Sequence, residues 1–353
     1  MTSAADSTAA VERRNASDVT GVLVLAACAA WSLITAGAHD GRPEGVLLAV
    51  LAVAAGYASG RILGALLPVA APCAGALAGL GLAITAPHPA PVAGITSPLG
   101  HSGATTALLA LSAGAACCAA WAAHPPALRL ALRLLAAGIT VTAALLGSTT
   151  GFVLCSGVLL CSLAAARMRR RALGLAGLGL AATLMTGMSW AMTEHALPDG
   201  LTDALEGPLT QHRILLWHDA LNLAREYPVL GAGPGRYGEL SPTVTESLLP
   251  DGKPHSAPLQ QAAEQGVIGA LLLAAVFCWV LYALWRTRRS TPIALTAGAA
   301  LTALAVVASV GNALSFTTVT AGAGLLAGLA TARPLSEEAP EHPTESTDGR
   351  PEV

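Results

Sequence analysis

From residue 19 to residue 331 the chain passes through one apolar stretch after another, most of them close to the 20 residues a helix needs to cross a hydrocarbon core. This pattern leaves few folds open, because backbone groups in lipid must be satisfied inside helices or a closed barrel. The stretches are continuous and do not alternate, which selects helices. They fall near 19–37, 45–60, 62–85, 103–123, 129–147, 151–167, 172–192, 264–285, 293–310 and 313–331. The expected fold class is therefore all-α, a polytopic transmembrane bundle of about ten helices. Composition agrees, with 54% hydrophobic and 11% charged residues, where soluble domains carry about 25% charged. A net charge of −2 gives no electrostatic footprint for nucleic acid. All seven cysteines lie in apolar runs, without disulfide or metal spacing, so they are expected to pack as small hydrophobes and no metal or cofactor is expected.

Orientation follows from the basic residues. With the N-terminus inside, 14 of the 19 Lys and Arg fall on the cytoplasmic side, leaving only Arg42, Arg213, Arg225, Arg236 and Lys253 outside. The division this implies is a cytoplasmic N-terminal tail (1–18), helices one to seven (19–192), an extracytoplasmic loop (193–263), helices eight to ten (264–332) and a disordered acidic cytoplasmic tail (333–353). The first helix lacks a cleavage site and is expected to be retained. Ionisable residues are almost absent from the predicted spans, which disfavours ion-coupled transport.

Polar chemistry concentrates in the loop. Within 211–226, Leu216, Trp217, Ala220, Leu221, Leu223 and Ala224 recur at helical spacing, predicting a short amphipathic helix with Trp217 at the membrane interface. Arg213 lies one turn before Trp217 on the same face; it either snorkels or meets an anionic headgroup. A glycine run follows, with Gly231, Gly233 and Gly235 ahead of Arg236. Such a run either holds phosphate oxygens on exposed N–H groups or simply turns the chain. His255 stands just before the helix that re-enters the membrane near Glu264, where an imidazole can exchange protons at headgroup depth.

In order and position, Arg213-x-x-x-Trp217, Pro228-x-x-Gly231-x-Gly233-x-Gly235, His255-x-x-x-Leu259-Gln260 and Glu264-x-Gly266-x-x-Gly269 resemble the O-antigen ligase and polymerase superfamily of bacterial membrane glycosyltransferases. The resemblance implies transfer of a glycan from an undecaprenyl pyrophosphate carrier to an acceptor hydroxyl on a glycan or lipid, without a metal, in the bacterial plasma membrane. It implies His255 as catalytic base, with Arg213, Arg236, Arg225 and Trp217 binding substrate. Gly231, Gly233, Gly235, Gln260, Glu264 and Gly266 are implied as structural motif residues. One departure stands out. Where many members carry an arginine in a Ser-Arg-Gly turn, this chain has Gly147-Ser148-Thr149-Thr150-Gly151, so Arg225 or Arg236 must substitute, or the donor differs or activity is lost. A non-catalytic membrane protein that binds or moves lipid-linked glycans is the competing expectation.

Overall fold

The computed structural model describes residues 2–85, 100–168, 170–193, 211–246 and 252–333, and these are all-helical, with no strand among them. Arg169, His195, the loop segments 194–210 and 247–251, and the acidic tail from 334 lie outside the described residues. Among the described residues, ten apolar helices form the bundle. They are α1 (Thr2–His39), α2 (Glu44–Leu66), α3 (Ala70–Thr85), α4 (Gly100–Ala122), α5 (Pro126–Leu145), α6 (Thr149–Ala165), α7 (Arg171–Thr193), α11 (Ala257–Arg286), α12 (Thr291–Val310) and α13 (Thr317–Thr331). Between α7 and α11 stand the short α8 (Gln211–Glu226), α9 (Tyr237–Leu240) and α10 (Pro242–Glu246). Seven of the ten are long and apolar enough to cross a membrane, while α3, α6 and α13 fall short.

Boundaries shift where local chemistry overrides hydropathy. The break expected at Arg61 lies instead at residues 67–69, beside Pro68, because Arg61 stays helical and pairs with Asp18 of α1 at 2.9 Å. The helix expected from 313 begins at Thr317, after a 3₁₀ turn over Ala313–Ser315. Helix starts use prolines and hydroxyls: Pro125 and Pro126 open α5, and the Ser148 hydroxyl caps α6 by accepting from the Gly151 N–H at 3.0 Å.

Helices α4 and α12 form the centre, buried nearly all round, and run antiparallel, with Gly114 against Ala300 and the Cys118 thiol facing the Ile293 carbonyl. The outer helices expose rows of Leu, Ile and Val, among them Leu51, Leu130, Leu160 and Leu184, as a lipid-facing surface requires. The tightest seam is the parallel pair α2 and α13. Gly56, Gly60 and Gly64 lie against Ala321 to Ala332, and Gly324 and Gly328 against Val53 to Arg61, so close that a Cβ at Gly60 or Gly328 would collide with backbone of the opposite helix. This is the small-residue spacing by which apolar helices associate without a hydrophobic driving force.

The basic residues gather at the end of the bundle opposite α8 to α10. Arg171 donates to the carbonyls of Thr287 and Arg289, Arg289 to those of Ala332 and Gly64, and Arg129 to that of Ala123. They satisfy carbonyls at helix C-termini, where cationic charge is favoured.

Candidate functional site

The segment between α7 and α11 has its own small core. Leu216, Trp217, Ala220 and Leu223 of α8 pack with Ala232, Tyr237, Leu259 and Ala263, over Trp190 of α7 and Val310 at the end of α12. Trp217 is completely buried (0% exposed), a correction to its expected interfacial position. The apolar face of α8 is satisfied by the loop's own residues and by α11, leaving no ring at the surface for headgroup contact. Tyr237 is buried beside it, and its hydroxyl donates to the Leu216 carbonyl at 2.7 Å. Burial pushes the Tyr237 phenol well above its ordinary value, which keeps it a neutral donor.

Helix α11 is two helices joined across Gly266, whose φ of 69° and ψ of −170° break the ladder. It begins at Ala257, with Pro258 in its first turn and His255 just before its N-cap Ser256, so a short first segment precedes the long one. The glycine run docks onto this break. The N–H of Ala232 donates to the Ala263 carbonyl (2.8 Å), that of Gly233 to Glu264 (2.9 Å) and that of Val267 to Pro228 (2.9 Å), and the Trp31 indole of α1 donates to the Gln265 carbonyl (3.0 Å). A Cβ on Gly231 would strike the Glu264–Gln265 peptide, and one on Gly266 the Val229 carbonyl. Both residues are glycine because two left-handed backbones touch there.

Glu264 completes the junction. Its side chain is buried, its carboxylate accepts from the backbone N–H groups of Gly235 and Tyr237 and from the Gln260 amide (3.3 Å), and Lys253 supplies an attractive charge. Buried carboxylates are tolerated only when satisfied in this way. The run also grips the end of α1. The Arg42 N–H donates to the Pro234 carbonyl (2.7 Å), and the Arg236 guanidinium donates to the His39 carbonyl (2.8 Å) and lies 3.8 Å from Glu239.

The remaining expected residues divide by burial. Arg213 (3% exposed) and His255 (4%) are both buried, whereas Arg225 is exposed. His255 has a φ of 52°, one of two non-glycine residues with positive φ among those described. The other, Asp40, ends a helix, where this conformation is routine. His255 instead precedes Ser256, the N-cap of α11, and such strain concentrates at functional positions. Sequence reasoning passed over Asp219, whose carboxylate accepts from the Ser241 hydroxyl (2.6 Å) and the Thr243 N–H (3.1 Å), tying α10 to α8. Its position on a helix otherwise read for apolar spacing was the only signal. The turn that replaces the Ser-Arg-Gly arginine is structural: Ser148 caps α6 and lies 3.0 Å from the Thr106 hydroxyl of α4.

Apolar helices with lipid-facing surfaces, and polar chemistry collected over one end, define a multi-pass membrane protein. Residues 99–274, half of the chain and spanning α4 to the start of the long segment of α11, match the family described as O-Antigen ligase. The chain belongs to the O-antigen ligase and polymerase superfamily, and its role is that of a membrane glycosyltransferase-like protein of bacterial polysaccharide assembly, acting on lipid-linked glycans. No curated protein and no solved structure matches it.

Proposed function

We propose that the chain transfers a glycan from an undecaprenyl pyrophosphate carrier to an acceptor hydroxyl, as a ligase or polymerase, with the 193–263 segment on the extracytoplasmic side and both termini in the cytoplasm. The observation that carries this reading is that Arg213 and His255, both buried, lie inside the family match. A guanidinium is suited to a pyrophosphate, whose oxygens it can meet through paired charge-assisted hydrogen bonds. In the reaction, the acceptor oxygen attacks the anomeric carbon as the bond from that carbon to the pyrophosphate oxygen breaks. His255 takes the acceptor's proton, a contribution of about 10² to 10⁴ in rate. Arg213 holds the departing pyrophosphate through charge-assisted hydrogen bonds. Either Arg225, exposed on the last turn of α8, or Arg236, anchored beside His39, stands in for the missing turn arginine. Trp217 and the glycine junction position these groups without touching substrate.

The competing reading, a non-catalytic protein that binds lipid-linked glycans, draws on the absence of that arginine from the Gly147–Gly151 turn. The two separate in cells lacking the native gene. Complementation with the wild-type chain is expected to restore surface glycan and clear polyprenyl-linked intermediates, while Arg213→Ala and His255→Ala leave the intermediates accumulated. Full restoration by both variants would favour the non-catalytic reading.

A further inference from the structure

A cavity of about 400 Å³ opens at the opposite end of the bundle from the loop, and so stands apart from the glycan chemistry. It lies between the start of the apolar part of α1 (Ser17, Asp18), the last turns of α2 (Tyr57, Arg61), the end of α11 with its following turn (Arg286, Arg288) and the end of α13 (Thr331, Arg333). Four arginines and one aspartate line it, a formal excess of three positive charges. Arg61 is engaged: it donates to Asp18 at 2.9 Å and to the Tyr57 hydroxyl at 3.2 Å. Arg286 and Arg288 reach solvent, and Arg286 lies 5.8 Å from the ring centroids of both Tyr282 and Trp285. Thr287 and Thr331, which also line it, donate their hydroxyls to the carbonyls of Ala330 and Ala327, and Trp285 stands at its rim.

We infer that this cavity binds the phosphate headgroup of an anionic membrane lipid. Guanidinium forks at two exposed positions suit a phosphodiester. Two further observations favour a lipid over free phosphate. Trp285, 48% exposed, sits where aromatic rings anchor at headgroup depth. Val22, one turn along α1 from Asp18, is 68% exposed, and Leu63 and Leu66 near the end of α2 are also exposed, so the charged cavity runs onto apolar surface that an acyl chain would cover.

The test uses the purified full chain, delipidated in neutral detergent, titrated with phosphatidylglycerol or phosphatidylcholine and read by native mass spectrometry of bound lipid. Phosphatidylglycerol is expected to bind in preference to phosphatidylcholine. The double variant Arg286→Gln/Arg288→Gln, at two exposed positions, is expected to lose about tenfold in phosphatidylglycerol affinity, the scale of one charge-assisted contact. Its phosphatidylcholine binding and thermal unfolding should not change, and Arg286→Lys/Arg288→Lys should recover part of the loss. Equal affinity of the Gln variant and wild type for phosphatidylglycerol would overturn the inference. So would displacement of the lipid by millimolar inorganic phosphate, which would assign the cavity to a soluble anion.

Discussion

Three residues of the candidate site carry different burdens, and their substitutions should fail in different ways. His255→Ala should lower transfer by about 10² to 10⁴ while leaving donor binding near native, because only proton removal is lost. His212 and His218, both on α8, serve as controls with small effects in the same transfer assay. Arg213→Lys should already weaken donor binding, since an ammonium does not reproduce a bidentate phosphate contact; isotherms with a lipid-linked donor would register it, and native affinity in Arg213→Ala would reduce Arg213 to a structural role. Glu264→Ala should act on stability, stranding the N–H of the buried Tyr237 at about 1–3 kcal/mol, visible as a lowered unfolding temperature in detergent. Arg213, His255 and Glu264 were singled out by the resemblance of their spacing to the motifs of the O-antigen ligase family, since apolar periodicity alone left them undistinguished. Trp217 was misplaced because an amphipathic stripe shows that a face is covered but not whether lipid or protein covers it.

At the scale of elements, two glycine contacts hold the architecture. The first is the meeting of Gly231 with the break at Gly266, which lets the loop dock on α11. Gly266→Ala should cost both stability and transfer, because a left-handed residue gains a Cβ aimed at the Val229 carbonyl; the unfolding temperature and yield of folded protein would report it. The second is the α2–α13 seam, where Gly60→Leu should disrupt the bundle while Gly157→Leu, with open space beside it, should not. Hydropathy located the apolar helices, seven of which, among the described residues, are long enough to cross a membrane, but misjudged their ends. Arg61 reads as a loop residue until its partner Asp18 is known, and no local pattern announces a partner 43 residues away. The Gly56, Gly60 and Gly64 spacing was present in the sequence, yet small residues are so common here that only a facing helix gives the spacing meaning.

For the whole molecule, the arginines that decide orientation by charge also close the ends of the helices, since Arg129, Arg171 and Arg289 each donate to carbonyls of other helices or turns. The proposed topology assigns this end to the cytoplasm. Cysteines introduced at the exposed positions Asn222 and Ala166, in a background without native cysteines, should differ in intact cells: Asn222→Cys should react with a membrane-impermeant thiol reagent and Ala166→Cys should not. The opposite labelling would put the loop in the cytoplasm. The most direct measurement of the central proposal is transfer by the purified chain in lipid nanodiscs, following the release of undecaprenyl pyrophosphate from a glycan-loaded carrier together with the gain of glycan by the acceptor. The wild-type chain is expected to release one carrier for each glycan transferred, and His255→Ala to bind the loaded carrier without releasing it; release by His255→Ala at the native rate would contradict the assignment.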